Sequence, residues 1–203
     1  MHRAAGVQFH GDPGGFFGRF SAGEMSFAQM RQARVAHLLE SFSLGVIDEV
    51  NLRFEDAYEP VFSANVRLFD DVRPCLEAAS TVGIPMGLLT NSSARYTQQK
   101  LQITGLAGVF AVVATRDTLG FGKPDPRAFH HACGLLGSAP TETIYVGDHL
   151  EIDAIAAKDA GLRAVWLQRD PGDPLGATQV RARVRGIPVV MSLSQVRALL
   201  VDR

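Results

Sequence analysis

Tyr145-Val-Gly-Asp-His-Leu-Glu-Ile-Asp153 sets a glycine and two aspartates directly behind an apolar run. An apolar run, Thr143–Val146, ends in a glycine and an acid, and a helical pattern over Asp153–Ala160 follows within a few residues. This is a parallel strand turning into a helix, and in doubly wound sheets ligands collect at the carboxyl ends of such strands. Asp148 and Asp153 therefore stand where a ligand would bind, and paired carboxylates at a strand end suit a hard cation such as magnesium. Either acid alone could serve as a helix N-cap. Two acids with Gly147 at one turn favour the metal, while His149 and Glu151 in the same loop are expected to face outward.

The same punctuation runs in both directions from this stretch. From Asp70 onward, short apolar runs at Pro85–Leu89, Val109–Ala114, Thr143–Val146, Ala164–Leu167 and Pro188–Met191 alternate with helical patterns. Those patterns lie around Val72–Ala79, Arg95–Ile103, Pro126–Leu136 and Asp153–Ala160, several closed by a glycine such as Gly83, Gly105, Gly137 or Gly161. Alternation of this kind predicts an α/β fold with a parallel sheet. Ser192-Leu-Ser-Gln195 reads as a capping box before a last helix, and Arg169–Gly186, rich in Gly, Pro and charge, reads as a surface connection.

Two further segments place polar residues at strand ends. Thr90 and Asn91 follow Gly87-Leu-Leu, and a hydroxyl with backbone N–H groups at a strand-to-helix turn can bind phosphate oxygens. The alternative is that Thr90-Asn91-Ser92-Ser93 only caps the next helix. Lys123 follows Gly120 and Gly122 and precedes Pro124-Asp125-Pro126, which fixes the backbone beyond it and projects the amine from a loop, where it can neutralise a phosphoryl group. By itself it would be an ordinary solvated lysine.

Before about Phe69 the chain reads as helical. Ser26-Phe-Ala-Gln29 matches a capping box, and Phe27, Met30, Val35, Leu38, Leu39 and Phe42 recur near the 3.6-residue period, with Arg31, Arg34 and Glu40 on a wetter face. Gly45 offers a stop. A second pattern at Val46, Val50, Phe54, Ala57, Tyr58, Val61 and Phe62 could pack against the first as a hairpin.

With 203 residues there is one substantial core and room for a small accessory piece. A composition of 46% hydrophobic and 20% charged residues with net charge -1 carries no electrostatic footprint for nucleic acid. No run of about 20 apolar residues could cross a bilayer, no membrane partner is expected, and the cytoplasm is the default location. Cys75 and Cys133 lie far apart, which points to reduced core residues rather than a disulfide or zinc framework.

Gly87-Leu-Leu-Thr-Asn-Ser-Ser93, Gly122-Lys-Pro-Asp-Pro126 and Val146-Gly-Asp148 together resemble motifs II, III and IV of the haloacid dehalogenase (HAD) superfamily, in the branch whose helical cap is inserted after the first strand. The resemblance implies a HAD-like Rossmannoid three-layer sandwich, with residues 1–68 a partial helical cap and 69–203 the α/β core. It further implies that Thr90 and Asn91 hold phosphoryl oxygens, that Lys123 balances charge, that Asp148 binds magnesium, and that Asp153 completes the metal shell or orients Lys123. The family's first motif, Asp-x-Asp-x-Thr, supplies the nucleophile and the acid, and nothing ahead of Thr90 matches it. The nearest approach, Val7-Gln-Phe-His-Gly-Asp-Pro-Gly14, would put His10 and Asp12 in those roles, but Asp12-Pro-Gly-Gly15 is better read as a turn.

The first, central strand of the sheet is thus missing, and the chain is expected to be an N-terminally shortened form of a complete enzyme. That enzyme is expected to be a magnesium-dependent phosphomonoesterase acting on a small phosphorylated metabolite through an aspartyl-phosphate. The alternatives are a non-catalytic protein binding a phosphorylated ligand or a partner, and a haloacid dehalogenase. Substrate identity and oligomeric state stay open.

Overall fold

The computed structural model describes residues 2–43, 53, 58, 60–169 and 177–201. The chain divides into two compact units, Met1–Val66 and Arg67–Arg203.

The first unit contains α1 (His2–Gly11), α2 (Phe16–Ser21) and α3 (Phe27–Ser41), with a further helical stretch over 60–65. The expected capping box opens α3: the Ser26 hydroxyl accepts from Gln29 N at 3.2 Å and the Gln29 carboxamide accepts from Ser26 N at 2.8 Å. Met30 and Val35 are buried, and Phe20 meets the edge of Phe27 with centroids 5.6 Å apart. The wetter face needs correction, because only Glu40 of its three residues is exposed. Arg31 is buried, with its guanidinium 4.4 Å above the Tyr58 ring, and Arg34 lies 4.3 Å above Phe9, donates to the Phe9 carbonyl and stands 3.6 Å from Asp12. A flat, weakly hydrated guanidinium packs on aromatic faces, so charge alone misassigned these positions.

Asp12-Pro-Gly-Gly15 is a turn, closed by Gly15 N donating to the Asp12 carbonyl at 2.8 Å, and the Asp12 carboxylate accepts from Phe17 N at 2.7 Å in the first turn of α2. Residues 7–10 belong to α1, so no strand delivers His10 or Asp12 to a strand end. The expected stop at Gly45 and most of the second helical pattern, Val46, Val50, Phe54 and Ala57, lie outside the described residues.

The second unit runs α4 (Val72–Thr81), β1 (Gly87–Thr90), α5 (Ala94–Ile103), β2 (Val112–Thr115), α6 (Arg116–Leu119), α7 (Pro126–Leu136), β3 (Ile144–Gly147), α8 (Ala156–Asp159), β4 (Arg163–Leu167), α9 (Ala177–Val184), β5 (Val189–Val190) and α10 (Leu193–Val201). All pairing is parallel: β1 with β2, Thr90 opposite Thr115, and separately β3-β4-β5, with Val146 opposite Val165 and Leu167 opposite Val190. Among the described residues β1 and β3 are not hydrogen-bonded to each other or to any other strand on their second edges. What joins the two sheets is α7. Its fully buried Phe129 forms a buried cluster with Cys133, Ala156, Ala157, Ala160, Leu162 and Ala164, and both Leu89 of β1 and Tyr145 of β3 pack against that cluster. Cys75 and Cys133 are buried and unbridged.

Three local readings need correction. Arg169–Gly186 is not all surface connection, because 177–184 forms α9 and its Ala182 is fully buried against Leu150, Trp166 and Ile187. A single buried alanine leaves almost no apolar period to read. The helix expected over Asp153–Ala160 begins earlier, as a π-helical turn over Leu150–Ile155 that passes into α8. At the last helix Gln195 accepts from Met191 N at 2.7 Å rather than from Ser192, and Leu193 N donates to Asp71 Oδ2 at 2.7 Å, so an acid from α4's N-terminus replaces the capping box.

Candidate active site

At the end of β1 the Thr90 hydroxyl accepts from Ser92 N at 3.1 Å, and Ser93 caps α5 by accepting from Tyr96 N at 3.3 Å. Capping is thus the work of Ser93, not of Thr90 or Asn91. Asn91 is buried and its carboxamide forms a reciprocal pair with the backbone of Lys123, Nδ2 to the carbonyl at 2.7 Å and N–H to Oδ1 at 2.8 Å. Gly122 makes this approach possible, since a Cβ there would lie 2.5 Å from Asn91 Oδ1. Beyond Lys123, Asp125 accepts from Arg127 N at 2.9 Å and starts α7 with Pro126 in its first turn. The hydrogen-bonded Arg127 guanidinium holds the Asp125 carboxyl below its usual range.

The loop clamp aims the lysine at β3. Lys123 Nζ donates to Asp153 Oδ1 at 2.5 Å and to the Tyr145 hydroxyl at 2.8 Å, and the hydroxyl donates to the same Oδ1 at 3.1 Å. Asp153 Oδ2 accepts from His149 N at 3.0 Å. Both charged side chains are largely buried, at 11% exposure for Lys123 and 5% for Asp153. The π-helical turn brings Asp153 back over the strand end, and Gly147 admits it: a Cβ on Gly147 would be 2.4 Å from the Asp153 Cβ. Such turns often mark functional sites. Asp148 follows β3 with an exposed side chain, while Trp166 Nε1 holds its carbonyl at 2.9 Å. Burial first, then the charges of Asp153 and Asp148, push the Tyr145 hydroxyl well above the ordinary phenol range.

The structure therefore brings Asn91, Lys123 and Asp153 into one bonded chain, with Thr90 next to Asn91 in sequence and Asp148 beside its other end. Sequence reasoning missed Tyr145, Trp166 and Gly122. The signal for Tyr145 was a polar tip in an otherwise apolar run, two residues before Gly147 and so on the same face of the strand.

Among the described residues no group of three or more His, Cys, Asp or Glu side chains is arranged to hold a metal ion. Magnesium often takes only one or two protein carboxylates and fills its shell with water and phosphate oxygens. The exposed carboxylate of Asp148 fits as one such ligand. Asp153 fits less well, because both of its oxygens already accept hydrogen bonds from the protein.

The family model described as "Hydrolase: haloacid dehalogenase-like hydrolase" matches residues 8–161, more than half of the chain. The chain belongs to the haloacid dehalogenase-like hydrolase family. A phosphoserine phosphatase from Thermus thermophilus is 38% identical over 116 residues, 56% of this chain and 47% of that protein. A phosphoglycolate phosphatase from Thiobacillus denitrificans is 37% identical over 108 residues, 53% of this chain and 47% of that protein. These matches span about half the length of the relatives. A dehalogenase crystallised with an intermediate complex superposes with a TM-score of 0.76 over 99% of this chain and 85% of its own, at 22% identity, and shows the HAD-like α/β fold.

Proposed function

We propose that the chain carries the phosphate-handling and metal-handling part of a HAD-type phosphomonoesterase site, for a small phosphorylated metabolite and with magnesium as cofactor. The observation that carries this reading is the bonded chain Asn91–Lys123–Asp153, which fixes an ammonium group at the strand ends beside Asp148. Relatives named phosphoserine phosphatase and phosphoglycolate phosphatase support a small phosphate monoester as substrate. The N-terminal unit would be part of a cap that contributes substrate selection.

Lys123 has three N–H donors, two of which go to Asp153 and Tyr145, leaving one for a phosphoryl oxygen. The Thr90 hydroxyl, which accepts from Ser92, has its own proton to offer a second oxygen. Asp153 acts here by orienting Lys123, the second of the two roles that the family resemblance allows it. Lys123 and Asp153 cancel in formal charge, so Asp148 leaves this part of the site net negative and hostile to a phosphate dianion. Magnesium, when bound, supplies the positive charge that offsets Asp148 and the phosphoryl group. The covalent step needs an aspartate that attacks phosphorus as the alcohol leaves, after which water releases phosphate. None of the residues described above is assigned that step.

Thermal melting tests the site. Magnesium with inorganic phosphate at 100 times its Kd should raise Tm by about 5–10 °C, from about 2.7 kcal/mol of linkage in a chain of this size. Either alone should do little, and D148N should abolish the shift. An equal shift without magnesium, or none at all, would contradict the proposal.

A further inference from the structure

We infer that Tyr145 is a positioning residue of this site, gripping the Lys123 ammonium jointly with Asp153 so that a single N–H is left to point at a phosphoryl oxygen. The inference rests on the reading of Lys123 as the phosphate-binding cation. An ammonium held by one carboxylate can rotate about that contact, because its four-carbon stem is flexible and its donors are equivalent. A second fixed acceptor removes the rotation. The Tyr145 hydroxyl is that acceptor at 2.8 Å, and its role is forced: its own proton goes to Asp153 Oδ1 at 3.1 Å, and lysine can only donate. The resulting triangle saturates Asp153 Oδ1 and keeps that oxygen from a metal ion.

The hydroxyl is held in place by the core rather than by a ligand. The Tyr145 ring meets the edge of fully buried Phe129 at 5.1 Å, and Phe129 belongs to α7, the helix that starts three residues after Lys123. Backbone and amine of the lysine are thus keyed to one helix, through Asn91 and Asp125 on one side and through Phe129 and Tyr145 on the other. The raised pKa of the hydroxyl agrees with a phenol that stays protonated and donates to Asp153.

The test compares Y145F, K123M and C133A in the 203-residue chain, using inorganic phosphate with saturating magnesium and following binding calorimetrically. The Lys123 side-chain ammonium is followed by ¹H–¹⁵N NMR. Y145F keeps the ring and should weaken phosphate about tenfold, as loss of a hydrogen bond to a charged group does. It should also shift the Lys123 ammonium resonance and speed its proton exchange. C133A, in the same core cluster, should lower Tm without weakening phosphate, which separates lost packing from lost positioning. Y145F that binds phosphate normally, or leaves the Lys123 signal unmoved while K123M abolishes binding, overturns the role of Tyr145 alone. K123M that binds as well as the unaltered chain overturns the phosphate site itself, and this inference with it.

Discussion

Gly147 and Gly122 act through the atom they lack. A methyl group on Gly147 would occupy the space of the Asp153 side chain, and one on Gly122 would push Asn91 off Lys123. G147A should therefore displace Asp153, cost about 1–3 kcal/mol in urea unfolding as an overpacking change, and remove magnesium-dependent phosphate binding. A variant with unaltered stability and binding would show that Asp153 is not held where the geometry has it. The sequence made Asp148 and the Thr-Asn pair legible because each sits where an apolar run stops, Asp153 because it opens the helical pattern that follows, and Lys123 because a Gly and a Pro-Asp-Pro flank it in a loop. It did not make legible how the donors are shared. That Asn91 spends its carboxamide on the Lys123 backbone, and Asp153 one oxygen on the Lys123 amine, depends on distances between segments about thirty residues apart, while the Tyr145 and His149 contacts to Asp153 depend on the local π-helical turn.

Asp71, at the N-terminus of α4, ties that helix to the end of β4 and to the start of α10. Arg169 donates to it through two nitrogens at 2.9 Å each, Leu193 N adds a bond at 2.7 Å, and the guanidinium lies 3.9 Å above Phe69. The hydrogen-bonded Arg169 holds the Asp71 carboxyl below its ordinary range. A folded-state pKa below the unfolded one means that the unfolded chain binds the proton more readily. The stabilisation is then complete above the unfolded value of about 3.9 and is lost as pH falls through the folded value. R169M should flatten this acid limb of stability against pH, and an unchanged limb would contradict the clasp. A second test concerns α9: A182L should overfill the space beside Trp166, cost about 1–3 kcal/mol and shift the emission of this sole tryptophan. All five strands and the helices α3 to α5 and α7 were readable from period and capping. The π-helical turn and α9 were not, since the first arises from the Asp153 closure over Gly147 and the second buries only a small side chain.

At the scale of the molecule, the main feature is the pair of parallel sheets in which, among the described residues, β1 and β3 each keep one edge without a strand partner while the cluster built on α7 packs on both strands. The missing first motif had implied a gap at this place in the order of strands. An unsatisfied buried backbone group costs about 1–3 kcal/mol, against a total stability of about 5–15 kcal/mol, so the edges of β1 and β3 should open readily to water. Amide hydrogen exchange should find β4, paired on both sides, the slowest strand, with β1 and β3 markedly faster. Equal protection of all three would contradict open edges. Under the proposed function, the segments meeting at these strand ends form one magnesium-assisted phosphate site. A crystal structure of the chain with magnesium and orthovanadate should then show vanadate oxygens on Thr90 and on Lys123 Nζ, the metal on Asp148, and Lys123 still bonded to Asp153 and Tyr145. Vanadate bound elsewhere, or a metal seated on Asp153 with Lys123 displaced, would contradict it.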